Sequence, residues 1–239
     1  DRHETIMRAY NSGVRLIVNA SQDISTSVES IALSQKYDFI YAAVGIHPHN
    51  SGMISTKAAG TLEGLASHRR VVAIGETGLD YYYENSPRDS QKTWLKIQLA
   101  LARNLNLPVI IHDRDAHEDI LKIIREEPVK DAGGVFHCFS GSVEMAKELI
   151  DHNFYISIGG PVTFKNAKRA VEVVKAVPDD RLLIETDCPY LTPEPYRGKR
   201  NESGYIRFVA EKIAEIKGVS FEEIARITTE NAKRLFRIE

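Results

Sequence analysis

The chain has 239 residues, of which 43% are hydrophobic and 27% charged, a composition typical of a folded globular protein rather than of a disordered or fibrous one. Its 31 lysines and arginines nearly balance its 33 aspartates and glutamates. This excludes a uniformly basic nucleic-acid coat, so any nucleic-acid contact must come from a local patch. The apolar runs are far shorter than the ~20 residues needed to cross a bilayer.

Seven short apolar runs rich in β-branched residues predict strands that are buried on both faces. They are 15–19, 39–45, 71–74, 108–111, 134–136, 154–158 and 182–184. Longer amphipathic segments between them predict helices at 1–12, 90–104, 116–125, 142–151, 166–177 and 203–217. Ser86 is expected to cap the helix whose first turn holds Pro87. Ser220 and Glu223 form a capping-box pattern that opens a final helix.

The alternation of strands and helices predicts parallel βαβ units and an α/β fold in a single domain, 1–239. A doubly wound sheet and a TIM (β/α)8 barrel both suit this length. No GxGxxG or phosphate loop follows the early strands, and polar residues follow many different strands, which favours the barrel. A barrel needs eight strands and seven are visible, so we expect the first strand to be missing from this chain, upstream of Asp1.

Residues able to bind a metal recur at the ends of the predicted strands: His47, Glu76, His112, His137 and Asp187. In a barrel these side chains would converge on one mouth, and a mixture of imidazole and carboxylate suits a divalent metal. A carboxylate between two groups of ligands can bridge two ions, which suits displacement at phosphorus or at a carbonyl. Any one of these residues alone is more simply read as a helix cap or a turn residue.

The segments around these positions are VGIHPH (44–49), IGETGLDYYY (74–83), IHDRDA (111–116), FHCFSG (136–141), IGGPVTFKN (158–166), ETDCPYLTPEPYRGKRNE (185–202) and TTENAKRLF (228–236). In this order they resemble the TatD family of metal-dependent hydrolases over essentially the whole chain. The resemblance implies a TIM barrel and a divalent-metal-dependent deoxyribonuclease, often a 3′→5′ exonuclease.

The resemblance also implies roles for individual residues. Glu76 would bridge two metal ions, His112 and His137 would complete the second site, and Asp187 would bind the first metal and act as general base. Up to two ions per chain are implied, and the sequence does not choose between Mg, Mn and Zn. The residues implied for the substrate phosphate are His47, Arg114, Arg197, Lys199 and Arg200.

One family feature is absent. The family begins with a strand that carries a His-x-His pair, and His3 is a poor substitute because it lies in a helical segment next to Glu4. We therefore expect roughly 15–20 further residues upstream in the natural protein, the length of a strand and a short loop.

Three functions are compatible with these sequence features. The first is a metal-dependent phosphodiesterase acting on DNA, and the second is an ester or amide hydrolase such as a D-aminoacyl-tRNA deacylase. The third is a nucleic-acid-binding barrel with an incomplete metal site. Tyr81–Tyr83 either stack on bases or pack the rim of the barrel. Two cysteines cannot form a disulfide framework, so we expect a cytoplasmic protein. The short apolar runs predict no membrane contact, and no obligate protein partner is evident from the sequence.

Overall fold

The computed structural model describes the backbone of residues 1–239 and every side chain except that of Lys130. This described part contains seven strands, which are β1 (Ile17–Ala20), β2 (Ile40–Val44), β3 (Val71–Asp80), β4 (Val109–Arg114), β5 (Gly134–Phe136), β6 (Phe154–Ile158) and β7 (Leu182–Ile184). Its helices are α1 (Arg2–Asn11), α2 (Ile24–Lys36), α3 (Ala59–Ala66), α4 (Arg88–Leu105), α5 (His117–Glu126), α6 (Val143–Asp151), α7 (Lys168–Ala176), α8 (Ile206–Lys217) and α9 (Phe221–Phe236).

The strands form a sheet in which their order is their order in the chain, β1 to β7. Strands β1 to β5 pair in parallel with their neighbours, as do β6 and β7. Helical segments connect successive strands, which is the sequential arrangement of a (β/α)8 chain. The predicted α/β class and the seven predicted strands are confirmed. None of the described helices is long and apolar enough to span a membrane.

Internal contacts divide the chain into two compact units. The larger unit holds Leu16–Phe136, His152–Phe154 and Leu235–Glu239, and the smaller holds Asp1–Arg15, His137–Asp151 and Tyr155–Arg234. A single domain over residues 1–239 stays a prediction.

The core of the larger unit lies between its strands and α4. Strand β3 is buried at every position but one, and β2 likewise. Helix α4 turns Trp94, Leu95 and Leu99 inward, all at most 2% exposed. Burying side chains of this kind contributes about 1.5–3 kcal/mol each, so this face of α4 holds the helix on β3.

In the smaller unit the core includes the part of β6 from Tyr155 to Ile158, in which every residue is buried. A buried amide joins α9 to β7, since the side chain of Asn231 donates to the carbonyl oxygens of Asp179 and Leu182 at 2.7 and 2.8 Å. Ser220 caps α9 as predicted, accepting the backbone N–H of Glu223 at 3.1 Å.

The structure corrects the prediction in three places. Strands β3 and β4 continue for six and three residues beyond the predicted ends at 74 and 111, to Asp80 and Arg114. Helices α2 and α3 were missed. The expected cap at Ser86 was wrong, because α4 has no side-chain cap and the Ser86 hydroxyl donates to the carbonyl oxygen of His49.

Candidate metal centre

The candidate centre in the larger unit lies where β3 runs beside β4. The register between the two strands shifts between residues 74 and 77, an irregularity of the kind that redirects side chains at functional sites, and Glu76 lies within it. Further along, Gly78 pairs with His112 and has a φ of 149°. A Cβ atom at Gly78 would lie 1.9 Å from the carbonyl oxygen of His112, so only glycine allows the strands to approach here.

Three residues that the sequence analysis named converge at this point. Oε1 of Glu76 lies 2.9 Å from Nδ1 of His112 and 3.2 Å from Nε2 of His47. One potential ligand atom from each of the three residues lies within 4.8 Å of the other two. His47 is 5% exposed, and the other two are half-buried. The cluster is therefore shielded from bulk water on most sides.

His112 has its second ring nitrogen fixed by a buried carboxylate. Its Nε2 lies 3.0 Å from Oδ2 of Asp80, which is fully buried. Because a carboxylate only accepts hydrogen bonds, Nε2 donates a proton to Asp80, and Nδ1 would become a ligand where an ion takes the place of the proton between it and Glu76. A carboxylate behind an imidazole in this way fixes the tautomer and orientation of metal-binding histidines.

Asp80 accepts hydrogen bonds from three other groups besides His112. Its Oδ2 also accepts from Nε2 of His49 at 3.0 Å, and its Oδ1 accepts the backbone N–H groups of Tyr82 and Tyr83 at 3.1 and 2.9 Å. Burial alone would raise the pKa of Asp80, but the hydrogen bonds from His112, Tyr83 and His49 outweigh it and hold the pKa well below its ordinary value. Asp80 is therefore ionised at neutral pH.

In His47 it is Nε2, not Nδ1 as in His112, that faces Glu76. Its Nδ1 accepts the backbone N–H of His49 at 3.1 Å, so in the neutral ring the proton lies on Nε2, which faces Glu76. Burial lowers the pKa of His47 below its ordinary value, against the opposing effect of the Glu76 carboxylate. In this arrangement His47 is a neutral hydrogen-bond donor to Glu76, and its expected contact with phosphate stays a prediction.

The donors at this centre fit a divalent ion. The Glu76 carboxylate and Nδ1 of His112 point at each other, are ordered by neighbouring groups and are removed from bulk water. Carboxylate oxygen and imidazole nitrogen together bind Zn, Mn and related ions.

The smaller unit contains a second imidazole with a carboxylate behind it. Nδ1 of His137, which follows β5, lies 3.3 Å from Oε1 of Glu185, the residue after β7. The other carboxylate oxygen of Glu185 accepts from the Ser157 hydroxyl at 2.7 Å. With Nδ1 donating to Glu185, Nε2 would be the atom of His137 that binds a metal, and that role stays a prediction. The sequence analysis missed Glu185, although it stands only two residues before Asp187.

Asp187 lies in a loop that a buried amide holds in place. Its φ is 46°, and its side chain is half-buried. The side chain of Asn201, 2% exposed, donates to the carbonyl oxygens of Thr186 and Tyr190 on either side. The Asn201 amide therefore fixes the backbone on both sides of Asp187. The grouping of Glu76, His112, His137 and Asp187 around shared ions stays a prediction.

The residues expected to hold phosphate have different surroundings. Arg114 lies over the rings of two exposed tyrosines, and Arg197 lies 4.1 Å from the ring centre of Phe164. The ammonium nitrogen of Lys199 lies 5.5 Å from the ring centre of Tyr196. Arg200 is paired with the carboxylates of Asp1 and Glu202, so part of its charge is already neutralised. A phosphate role for these four residues stays a prediction.

A family model, curated relatives and a solved structure all relate this chain to TatD proteins and metal-dependent hydrolases. A family model described as "TatD related DNase" matches residues 1–237. The uncharacterized metal-dependent hydrolase YabD of Bacillus subtilis is 54% identical over 238 residues, covering 100% of this chain and 93% of YabD. The 3′-5′ ssDNA/RNA exonuclease TatD of Salmonella typhimurium is 34% identical, covering 100% and 94%. The crystal structure of YjjV, a TatD homologue from Escherichia coli, superimposes with a TM-score of 0.94 at 29% identity, covering 100% and 93%.

Proposed function

The chain belongs to the TatD family of metal-dependent hydrolases, and from this premise we propose that it hydrolyses phosphodiester bonds at the ends of single-stranded DNA. The observation that carries the proposal is the contact of Glu76 with Nδ1 of His112, whose other ring nitrogen is held by Asp80. The polarity is proposed from the Salmonella relative, which is named a 3′-5′ exonuclease of ssDNA and RNA.

In the larger unit, Glu76, His112, His47 and Asp80 have different proposed roles, which follow from their protonation states. Glu76 and His112 would hold a divalent ion, which when bound would supply a Lewis acid and lower the pKa of water toward neutrality. Nδ1 of His47 is occupied by a backbone N–H, so His47 would contact a phosphoryl oxygen by turning its Nε2 proton from Glu76 to that oxygen. Asp80 keeps His112 in the tautomer that binds the ion.

In the smaller unit we propose His137 and Asp187 as further metal ligands, with Asp187 also the base that takes a proton from the attacking water. Glu185 holds His137 in the correct tautomer. Arg114, Arg197, Lys199 and Arg200 are proposed to contact phosphate. The free thiols of Cys138 and Cys188 suit a reducing compartment, so we propose that the protein acts in the cytoplasm on a nucleic-acid substrate.

The test is the release of nucleotides from 3′-labelled single-stranded DNA in the presence of Mg²⁺ or Mn²⁺. Glu76→Ala removes a ligand and is expected to abolish metal-dependent release. Glu63→Ala changes an exposed carboxylate on α3 and is expected to leave release unchanged. No release by the unaltered chain, with metal bound, contradicts the proposal and redirects it to carbonyl substrates such as an aminoacyl ester.

A further inference from the structure

Beside the candidate metal centre two exposed tyrosines lie against Arg114, one of the residues proposed to contact phosphate, and the two tyrosines have no part in the proposed chemistry. Tyr82 and Tyr83 are 59% and 54% exposed. The guanidinium carbon of Arg114 lies 4.1 Å from the ring centre of Tyr82 and 4.7 Å from that of Tyr83. We call these three residues the aromatic platform. The neighbouring Tyr81 is not part of it, because it is half-buried and its hydroxyl donates to Asp119 at 2.7 Å.

The geometry points to the aromatic platform as a binding surface for an unpaired base of a single-stranded nucleic acid and for the phosphate beside that base. This inference rests on the proposed function and names the part of the substrate that is recognised. Aromatic rings stack on bases whatever their sequence, and an exposed guanidinium adds both a stacking surface and a charge for phosphate.

The charge of Arg114 is available for such a ligand. No carboxylate in the described part of the chain forms an ion pair with its guanidinium. Arg88 offers a contrast within the same unit, because it lies over the ring of Tyr81 at 4.1 Å but is paired with the carboxylate of Glu84. An arginine that is stacked and unpaired keeps its positive charge for a phosphate.

The platform is fixed relative to the candidate metal ligands by Asp80. One carboxylate oxygen of Asp80 accepts the backbone N–H groups of both platform tyrosines, and the other holds His112 and His49. The ring of His49 also meets the ring of Tyr83 edge-on, with 5.6 Å between ring centres. A base on the platform would therefore be held in a fixed position beside Glu76 and His112.

The test measures binding alone, by fluorescence anisotropy in EDTA, so that hydrolysis does not enter. The probes are a labelled oligodeoxythymidylate and an abasic strand of the same length. We expect the Tyr82→Leu/Tyr83→Leu variant to lose roughly five- to hundredfold in affinity for the base-bearing strand and little for the abasic one. The Tyr82→Phe/Tyr83→Phe variant keeps the rings and is expected to bind as the unaltered chain does.

Tyr10→Leu is the matched control, because Tyr10 is also exposed and stacked with an arginine, Arg15 at 4.7 Å. It is expected to leave both affinities unchanged. Arg114→Lys keeps the charge but loses the planar group, so it should reduce the preference for bases while preserving the salt dependence. Arg114→Ala should in addition lower the slope of log affinity against log salt by about 0.7, the value for one phosphate contact on a single strand.

Equal loss on the base-bearing and abasic strands, or no loss on either, would overturn the inference. An oligouridylate, measured beside the deoxythymidylate, tests whether RNA or DNA is preferred. A loss of affinity of the tyrosine variant for either base-bearing strand supports the platform, and the larger loss identifies the preferred polymer. The proposed function fails separately. If the tyrosine variant loses affinity for the base-bearing strand alone but the unaltered chain cleaves no phosphodiester, the platform is supported and the nuclease is refuted. If the unaltered chain cleaves and the variant shows no such selective loss, the nuclease is supported and the platform is refuted.

Discussion

Replacing Asp80 with asparagine changes one oxygen to an amide nitrogen at the centre of the hydrogen-bond network. Asp80 accepts four hydrogen bonds, two from backbone N–H groups through Oδ1 and two from His112 and His49 through Oδ2. In Asp80→Asn the remaining oxygen can keep the two backbone bonds. The amide nitrogen must donate where Oδ2 accepted, which favours His112 with its proton on Nδ1, the atom that faces Glu76.

The magnitude follows from this change of tautomer. Loss of the group behind a metal-binding histidine typically costs 10- to 100-fold in metal affinity, which corresponds to about 1.4–2.8 kcal/mol. We therefore expect Asp80→Asn to weaken the binding of Mn²⁺ or Zn²⁺ by this factor while the fold persists, because the substitution conserves shape and keeps the backbone bonds.

The assay is a metal titration by calorimetry, with circular dichroism to check the fold. Asp119→Asn is the matched control, because this carboxylate also accepts hydrogen bonds, from Tyr81 and Lys92, but holds no candidate ligand. An affinity in Asp80→Asn equal to that in Asp119→Asn would refute the tautomer argument.

Two further predictions concern stability. Gly78→Ala should unfold the chain or lower its melting temperature sharply in thermal denaturation, because the added Cβ would meet the His112 backbone. Gly64→Ala on α3, with open space around the added Cβ, should be neutral or stabilise by up to about 1 kcal/mol. The hydrogen bond from Arg8 lowers the pKa of Glu202, so the pair stabilises the fold at neutral pH and ceases to as pH falls through that lowered pKa. Arg8→Ala should lower the melting temperature by up to about 4 °C at pH 7 and leave it unchanged in strong acid; an equal effect at both would contradict this.

The seven strands could be predicted because each is a short apolar run, and β5, β6 and β7 have the predicted bounds. The extension of β3 could not, because the glycines of its GETGLD segment are ordinarily signals that a strand has ended. Here Gly78 has the opposite effect, since the lack of a side chain allows β3 to continue beside β4. Helix α3 was missed for a similar reason, because it contains two glycines.

The candidate ligands were found from the sequence because each stands at or near the end of an apolar run. The carboxylates behind them were not, because Asp80 and His112 are separated by 32 in residue number, and Glu185 and His137 by 48. Such pairs exist only once the strands are aligned. The tautomer of His47, set by the backbone N–H of His49, is likewise a property of the folded loop.

The attachment of the aromatic platform has a consequence for how such a surface can diversify. Asp80 holds residues 82 and 83 through their main-chain N–H groups, and these are present whatever side chains the two positions carry. The location is therefore specified separately from the chemistry displayed there. Other rings, polar groups or charges could be exchanged at 82 and 83 to suit a different polymer or a small ester, while Glu76 and His112 stay in place.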